Sequence, residues 1–156
     1  MGKEKMQQSL LSSESYEWST PDDLFEQIDG EFHFEIDVCA TDQNTKCKKW
    51  FSPEQDGLLQ EWRGSCWMNP PYGSQIKEWM KKAYMASLNG ATVVCLVPSR
   101  TDARWWHDYA MKGEIRFLLG RVRFSNSKDN APFPSAIVVF RPNIYQFSTF
   151  QQRGLF

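Results

Sequence analysis

No stretch of the chain approaches the roughly 20 consecutive apolar residues that a membrane-spanning helix needs. The N-terminus also lacks the apolar core of a signal peptide, so a soluble, cytoplasmic protein with no membrane partner is the expectation. Histidine is scarce, with only His33 and His107, and the four cysteines (Cys39, Cys47, Cys66, Cys95) form no CxxC pair. Zinc spacings and a disulfide framework are thereby excluded; no metal is expected, and the thiols should be reduced and mostly buried. A large charge of one sign is missing too. The formal net charge of -1 argues against a nonspecific polycation. That balance conceals a split, because residues 1–75 hold six basic side chains against fourteen acidic ones and residues 76–156 hold twelve against five. Such asymmetry suggests a cationic or neutral partner near the first half and an anionic one near the second, unless the two halves mix on one surface. There is no internal repeat.

What the chain does contain is enough for a real core: 156 residues, 41% hydrophobic and 15% aromatic, in one domain. Residues 1–15 are polar and aperiodic and read as an N-terminal tail, residues 16–145 as a single domain, and 146–156 as a C-terminal tail. Thr20-Pro21-Asp22-Asp23 predicts a helix start, with a hydroxyl N-cap, a proline at the first position and carboxylates facing the dipole. This helix should run to about Asp29 and close at Gly30. Phe32, Phe34, Ile36 and Val38 alternate, which predicts a strand over Phe32–Ala40 with Asp37 near its end; a short extended piece is expected at Lys49–Phe51. Another short strand is expected at Cys66–Met68. Ile76, Trp79, Met80, Ala83, Tyr84 and Leu88 keep spacings of three and four and predict a helix over 75–88. Ala91–Val97 reads as a central strand covered on both faces. A helix over Asp102–Met111, two strands at Glu114–Leu119 and Arg121–Phe124 about Gly120, and a last buried strand at Ala136–Phe140 complete the series. Strands alternating with helices give an α/β sandwich with a mostly parallel sheet and an antiparallel C-terminal element.

The stretch with the most chemistry in it is SCWMNPPYGS, Ser65–Ser74. Two prolines fix two φ angles and remove two N–H donors, so the strand arriving through Met68 cannot stay paired beyond Asn69. Two readings are open: a proline-rich strand exit with Tyr72 packed in the core, or a rigid loop that presents Asn69 and the carbonyls behind it to a ligand. Ligands of open α/β sheets gather at the carboxyl ends of strands, where Asp37, Asp56 and Asn69-Pro70-Pro71-Tyr72 would converge. On an exocyclic amino group, whose lone pair is delocalised into its ring, the Asn69 amide oxygen and the Pro70 carbonyl could accept both N–H bonds and so favour a tetrahedral nitrogen. Tyr72 would stack on the base, which must leave the duplex to be reached.

Several stretches together resemble the phage-type DNA N6-adenine methyltransferases, small S-adenosylmethionine-dependent enzymes of the Rossmann-like class I methyltransferase fold. They are EWSTP (Glu17–Pro21), FEIDVCAT (Phe34–Thr41), DGLLQEW (Asp56–Trp62), WMNPPYG (Trp67–Gly73), LVPSRTDARWWH (Leu96–His107), EIRFLLGRVRF (Glu114–Phe124) and APFPSAIVVF (Ala131–Phe140). The resemblance implies S-adenosylmethionine as cofactor, held by Trp18, Ser19, Thr20, Pro21, Asp37, Ala40, Asp56 and Asn69, and a catalytic loop of Asn69, Pro70, Pro71 and Tyr72. The chain departs from larger members of the fold in having DVCAT in place of an FxGxG loop. It also has no room for a separate target-recognition domain, so contacts to double-stranded DNA must come from loops of this domain or from a second copy in a homodimer. The candidates are Arg100, Arg104 and Trp105, then Arg121 and Arg123, which would share one strand face, and Lys128 in the loop 125–130. Burial of the tryptophans under the helix is an equal reading. The family likeness also implies a phage or prophage origin within a bacterial cell. Cytosine N4 methylation poses the same chemical problem, and a noncatalytic DNA-binding protein is the alternative of a different class. A protein side-chain amide as acceptor would leave the basic half without a purpose. His107 is not expected to act as a general base.

Overall fold

The computed structural model describes residues 18–142. The expected N-terminal tail over 1–15 and C-terminal tail over 146–156 lie outside them. The described residues form three α-helices, α1 (Asp22–Phe32), α2 (Ile76–Leu88) and α3 (Arg104–Asp108), and five strands, β1 (Ile36–Asp37), β2 (Ser65–Met68), β3 (Thr92–Pro98), β4 (Glu114–Phe117) and β5 (Ser135–Phe140). The strands form one sheet in the order β1-β2-β3-β5-β4. β1, β2 and β3 pair in parallel, and β5 lies antiparallel between β3 and β4. The α/β sandwich read from the sequence is present, with its one reversed strand at the C-terminal end of the described chain.

Register assigns the two faces. Cys66, Val93 and Phe140 are aligned across three strands, and Tyr84 of α2 packs on Phe140 with ring centres 5.9 Å apart. Trp67, Val94 and Val139, one residue along, face the other way, where Phe25 of α1 meets Trp67 edge-on at 5.4 Å. The helices therefore cover opposite faces, and β2, β3 and β5 are buried almost throughout. That double burial is why the run through Val97 shows no alternation. Among the described residues no helix is long and apolar enough to cross a membrane.

Some elements differ from the sequence expectation. α1 passes Gly30 and ends at Phe32, because His33, not Gly30, takes the left-handed turn (φ 51°). The Asp29 carboxylate accepts the Phe34 N–H at 2.7 Å there, and Phe32 stacks on Phe34. Only Ile36–Asp37 of the expected Phe32–Ala40 strand is regular, although Glu35 and Val38 still donate to Ser65 and Trp67 carbonyls. The Lys49–Phe51 piece does lie beside it, Trp50 bridging Asp37 in parallel. The helix expected over Asp102–Met111 is shorter, α3 followed by a 3-10 turn at Ala110–Lys112. Arg121–Phe124 forms no strand: Gly120, at φ 73°, turns the chain away from the sheet, and the Val122 and Phe124 carbonyls accept from the Ala131 and Ser127 N–H groups of the following loop instead of from a strand. Arg121 and Arg123 thus share no strand face.

Candidate active site

At the carboxyl ends of β1 and β2 the chain opens a cavity of about 340 Å³. Its wall brings together Trp18, Ser19, Thr20, Asp37, Ala40, Asp56, Asn69, Pro70 and Pro71, residues that the sequence scatters over more than fifty positions. Pro21 and Tyr72 are not part of the wall. Cys39, Thr41, Phe51, Leu58, Gly57 and Trp79 are, and nothing in their residue types marked them.

Asn69 stands where β2 stops. Its Nδ2 donates to the Trp18 carbonyl and, at 3.0 Å, to the Thr20 hydroxyl. A carbonyl can only accept, so the amide must present its nitrogen to Trp18 and its oxygen elsewhere. That oxygen, Oδ1, is buried and has no hydrogen-bond partner among the described residues. Five buried side-chain nitrogen or oxygen atoms share this condition, and only Asn69 and Trp79 among their owners line the cavity. A buried acceptor left without a donor costs about 1–3 kcal/mol. The same geometry corrects the expected role of Thr20 as a helix cap: α1 has no side-chain cap, and the Thr20 side chain is buried against Asn69.

Asp37 is 3% exposed. Its carboxyl oxygens accept the Cys39 N–H at 3.3 Å and the Lys46 N–H at 3.1 Å, which ties down the loop after β1. Where a glycine-rich loop would use backbone freedom, DVCAT is shaped by its own first carboxylate. Burial raises the Asp37 value from 3.8 to about 7, against the smaller opposing effect of those two N–H groups. Asp56 adopts φ 52° and accepts the Leu58 N–H at 3.1 Å. The glycine that follows is obligatory, since a Cβ on Gly57 would lie 2.1 Å from the Val38 carbonyl oxygen and 3.1 Å from the Trp79 ring. Gly57→Ala is expected to lower stability by about 3 kcal/mol, roughly 10 °C in melting temperature. A thermal melt superimposable on the parent would show that the cavity floor is softer than this contact requires.

Tyr72 contradicts the expectation of a base-stacking surface. It is 2% exposed, and its hydroxyl donates to the Leu96 carbonyl at 2.9 Å. Phe124 and Phe133 close on its ring edge-on, at 6.1 and 5.7 Å. Of the neighbouring aromatic groups Trp18 lines the cavity; it is partly buried, as is Phe133, whose ring lies 5.4 Å away and nearly perpendicular. Tyr72→Phe should therefore cost about 1 kcal/mol in denaturant unfolding through the stranded Leu96 carbonyl and leave DNA affinity nearly unchanged. An unfolding free energy equal to the parent's would show that the Tyr72 hydroxyl bond to Leu96 contributes nothing to the fold.

The expected DNA-binding side chains divide. Trp105 is 8% exposed and packs edge-on against Trp106, so it offers no face to DNA. Arg100, Arg104, Arg121, Arg123 and Lys128 are exposed. Arg100 lies over the Phe133 ring at 6.0 Å. The loop carrying Lys128 is tied to the cavity mouth, with the Ser125 N–H donating to Ser19 at 2.9 Å and the Ser19 N–H to the Asn126 side chain at 3.0 Å.

Residues 7–153 match the family model described as DNA N-6-adenine-methyltransferase (Dam). A Haemophilus phage HP1 (strain HP1c1) protein named DNA N-6-adenine-methyltransferase is 32% identical over 136 residues, covering 80% of this chain and 78% of the relative. An Escherichia phage T1 protein of the same name is 28% identical over 131 residues, covering 67% of this chain and 55% of that longer relative.

Proposed function

The chain belongs to the DNA N-6-adenine-methyltransferase (Dam) family, and from that premise we propose that it methylates the exocyclic N6 of an adenine swung out of duplex DNA, using S-adenosylmethionine. The observation that carries this reading is Asn69 on the cavity wall, with a buried Oδ1 that has no hydrogen-bond partner among the described residues. An amino group is the complementary partner: it brings N–H donors, and its acceptance there draws the nitrogen lone pair out of conjugation with the ring. The Pro70 carbonyl is the second acceptor, on a backbone that Pro70 and Pro71 hold stiff. Tyr72, buried behind this loop, braces it.

The cavity suits a cationic cofactor with a flat apolar part. Asp37 and Asp56 supply negative charge, and Phe51, Pro53, Leu58 and Trp79 supply apolar walls. We assign Trp18, Ser19, Ala40, Asp37 and Asp56 to holding it, with Thr20 and Asn69 at its reacting end; Pro21 acts only by placing its neighbours. When bound, S-adenosylmethionine supplies an electrophilic methyl carbon on its sulfonium, and no metal or covalent enzyme intermediate is required. We read residues 16–145 as one Rossmann-like methyltransferase domain whose loops contribute contacts to DNA. Arg100, Arg104, Arg121, Arg123 and Lys128 contact phosphates, consistent with their exposure and with the basic C-terminal half. A cytoplasmic site of action in a phage-infected or lysogenic bacterium follows from the same reading.

The test is direct. Duplex DNA incubated with the chain and methyl-labelled cofactor, then digested to nucleosides, should carry its label in N6-methyladenine. Label in methylcytosine, or no label at all, would overturn the proposal.

A further inference from the structure

We infer that Thr20, together with the Trp18 carbonyl, is a positioning device that fixes the Asn69 amide with Oδ1 toward the reacting nitrogen and restricts position 69 to an amide. The inference rests on the catalytic reading of Asn69 and adds to it a reason why this side chain is asparagine. Both Nδ2 hydrogens are committed, one to the Trp18 carbonyl and one to the Thr20 hydroxyl. Thr20 is 3% exposed, so water does not compete for its hydroxyl. The segment is itself anchored from a third direction: the Ser125 hydroxyl donates to the Thr20 carbonyl at 3.2 Å, and the Ser125 N–H donates to the Ser19 carbonyl. Two acceptors on one end of the amide leave its buried oxygen without a hydrogen-bond partner among the described residues.

An aspartate at position 69 would offer the same oxygen to an amino group, and in isolation a carboxylate is the better acceptor. Here it would fail. Its second oxygen would meet the Trp18 carbonyl, which has no hydrogen to give; the Thr20 hydroxyl can rotate to donate, but the carbonyl cannot. Only a protonated carboxyl, donating its hydrogen to Trp18, reproduces the asparagine pattern. Position 69 thus requires a donor on one side and an acceptor on the other. The Trp18 carbonyl imposes the donor requirement, and Thr20 holds the amide that meets it.

Single-turnover methylation with saturating cofactor and DNA, read beside cofactor affinity by calorimetry, tests this. Thr20→Val is expected to slow the chemical step by roughly 10-fold or more while cofactor affinity stays within about twofold, and Thr20→Ser should restore most of the rate. Affinity lost with the rate unchanged would make Thr20 a cofactor contact and overturn the inference. Asn69→Asp supplies a second readout that does not depend on Thr20→Val folding. Asp37, Cys39 and Asp56 line the same cavity and Tyr72 turns its hydroxyl away to Leu96, so the variant is compared with the parent at each pH to cancel whatever the two proteins share. The ratio of variant to parent rate should rise as pH falls, since protonation restores the missing donor. A ratio independent of pH, or one rising with pH as for a simple carboxylate acceptor, would overturn it. If the catalytic reading itself were wrong, Asn69→Ala would methylate at the parental rate, a result distinct from either.

Discussion

Asn69→Ala is expected to reduce single-turnover methylation by roughly 10²–10³-fold while leaving cofactor affinity within about threefold. The magnitude is that of removing one preorganised polar group from a reacting centre. The selectivity follows from the geometry. Asn69 is one residue of the cavity wall, whereas the charge and apolar area of that cavity come from Asp37, Asp56, Phe51, Leu58 and Trp79. Removing the amide also frees the Trp18 carbonyl and Thr20 hydroxyl, so a modest loss of stability should accompany the loss of rate. Near-parental methylation would remove Asn69 from the mechanism.

The second large effect concerns Asp37 and pH. Burial holds its carboxyl near 7 in the folded chain, against 3.8 for the ordinary group. The folded state therefore binds this proton more tightly than the unfolded chain does. The stability it brings is complete below about pH 4 and is lost as pH rises to about 7, by at most on the order of 4 kcal/mol. A cationic cofactor reverses the preference, because it favours the ionised carboxyl. Cofactor affinity should therefore fall as pH drops below about 7, approaching tenfold per unit, and the rise in melting temperature caused by cofactor should be larger at pH 8 than at pH 5.5. In Asp37→Asn, affinity at pH 8 should be roughly 10- to 100-fold weaker and its pH dependence much flatter. Equal cofactor-induced shifts at the two pH values would show that Asp37 serves only to tie the Cys39 and Lys46 amides.

How much of this was legible depended on whether local pattern or tertiary packing made the decision. Asn69, Asp37 and Asp56 were readable because a strand exit in an open α/β sheet has few places to go, and the two prolines after Asn69 mark the exit. The helix from Ile76 and the strand from Thr92 were readable from apolar spacing alone. The destination of Tyr72 was not. The same four residues fit an exposed ring and a buried one, and what buries it are Phe124 and Phe133, more than fifty residues away. Thr20 was misread as a cap for a related reason. A hydroxyl before proline suits a helix start, yet the amide of Asn69 offers it a buried partner that the helix end cannot match. Arg121–Phe124 alternates like a strand, but beside β4 the chain turns at Gly120 and leaves no ladder to join. Trp105 lies among arginines in sequence and among core residues in space.

A crystal structure of the chain with a cofactor analogue and a duplex containing the target adenine measures the decisive distance, from Asn69 Oδ1 to N6. A hydrogen bond of about 2.7–3.2 Å, with Nδ2 still on the Trp18 carbonyl, is the result this account predicts. An adenine amino group held by other atoms, with the Asn69 amide turned from it, would contradict the account at its centre.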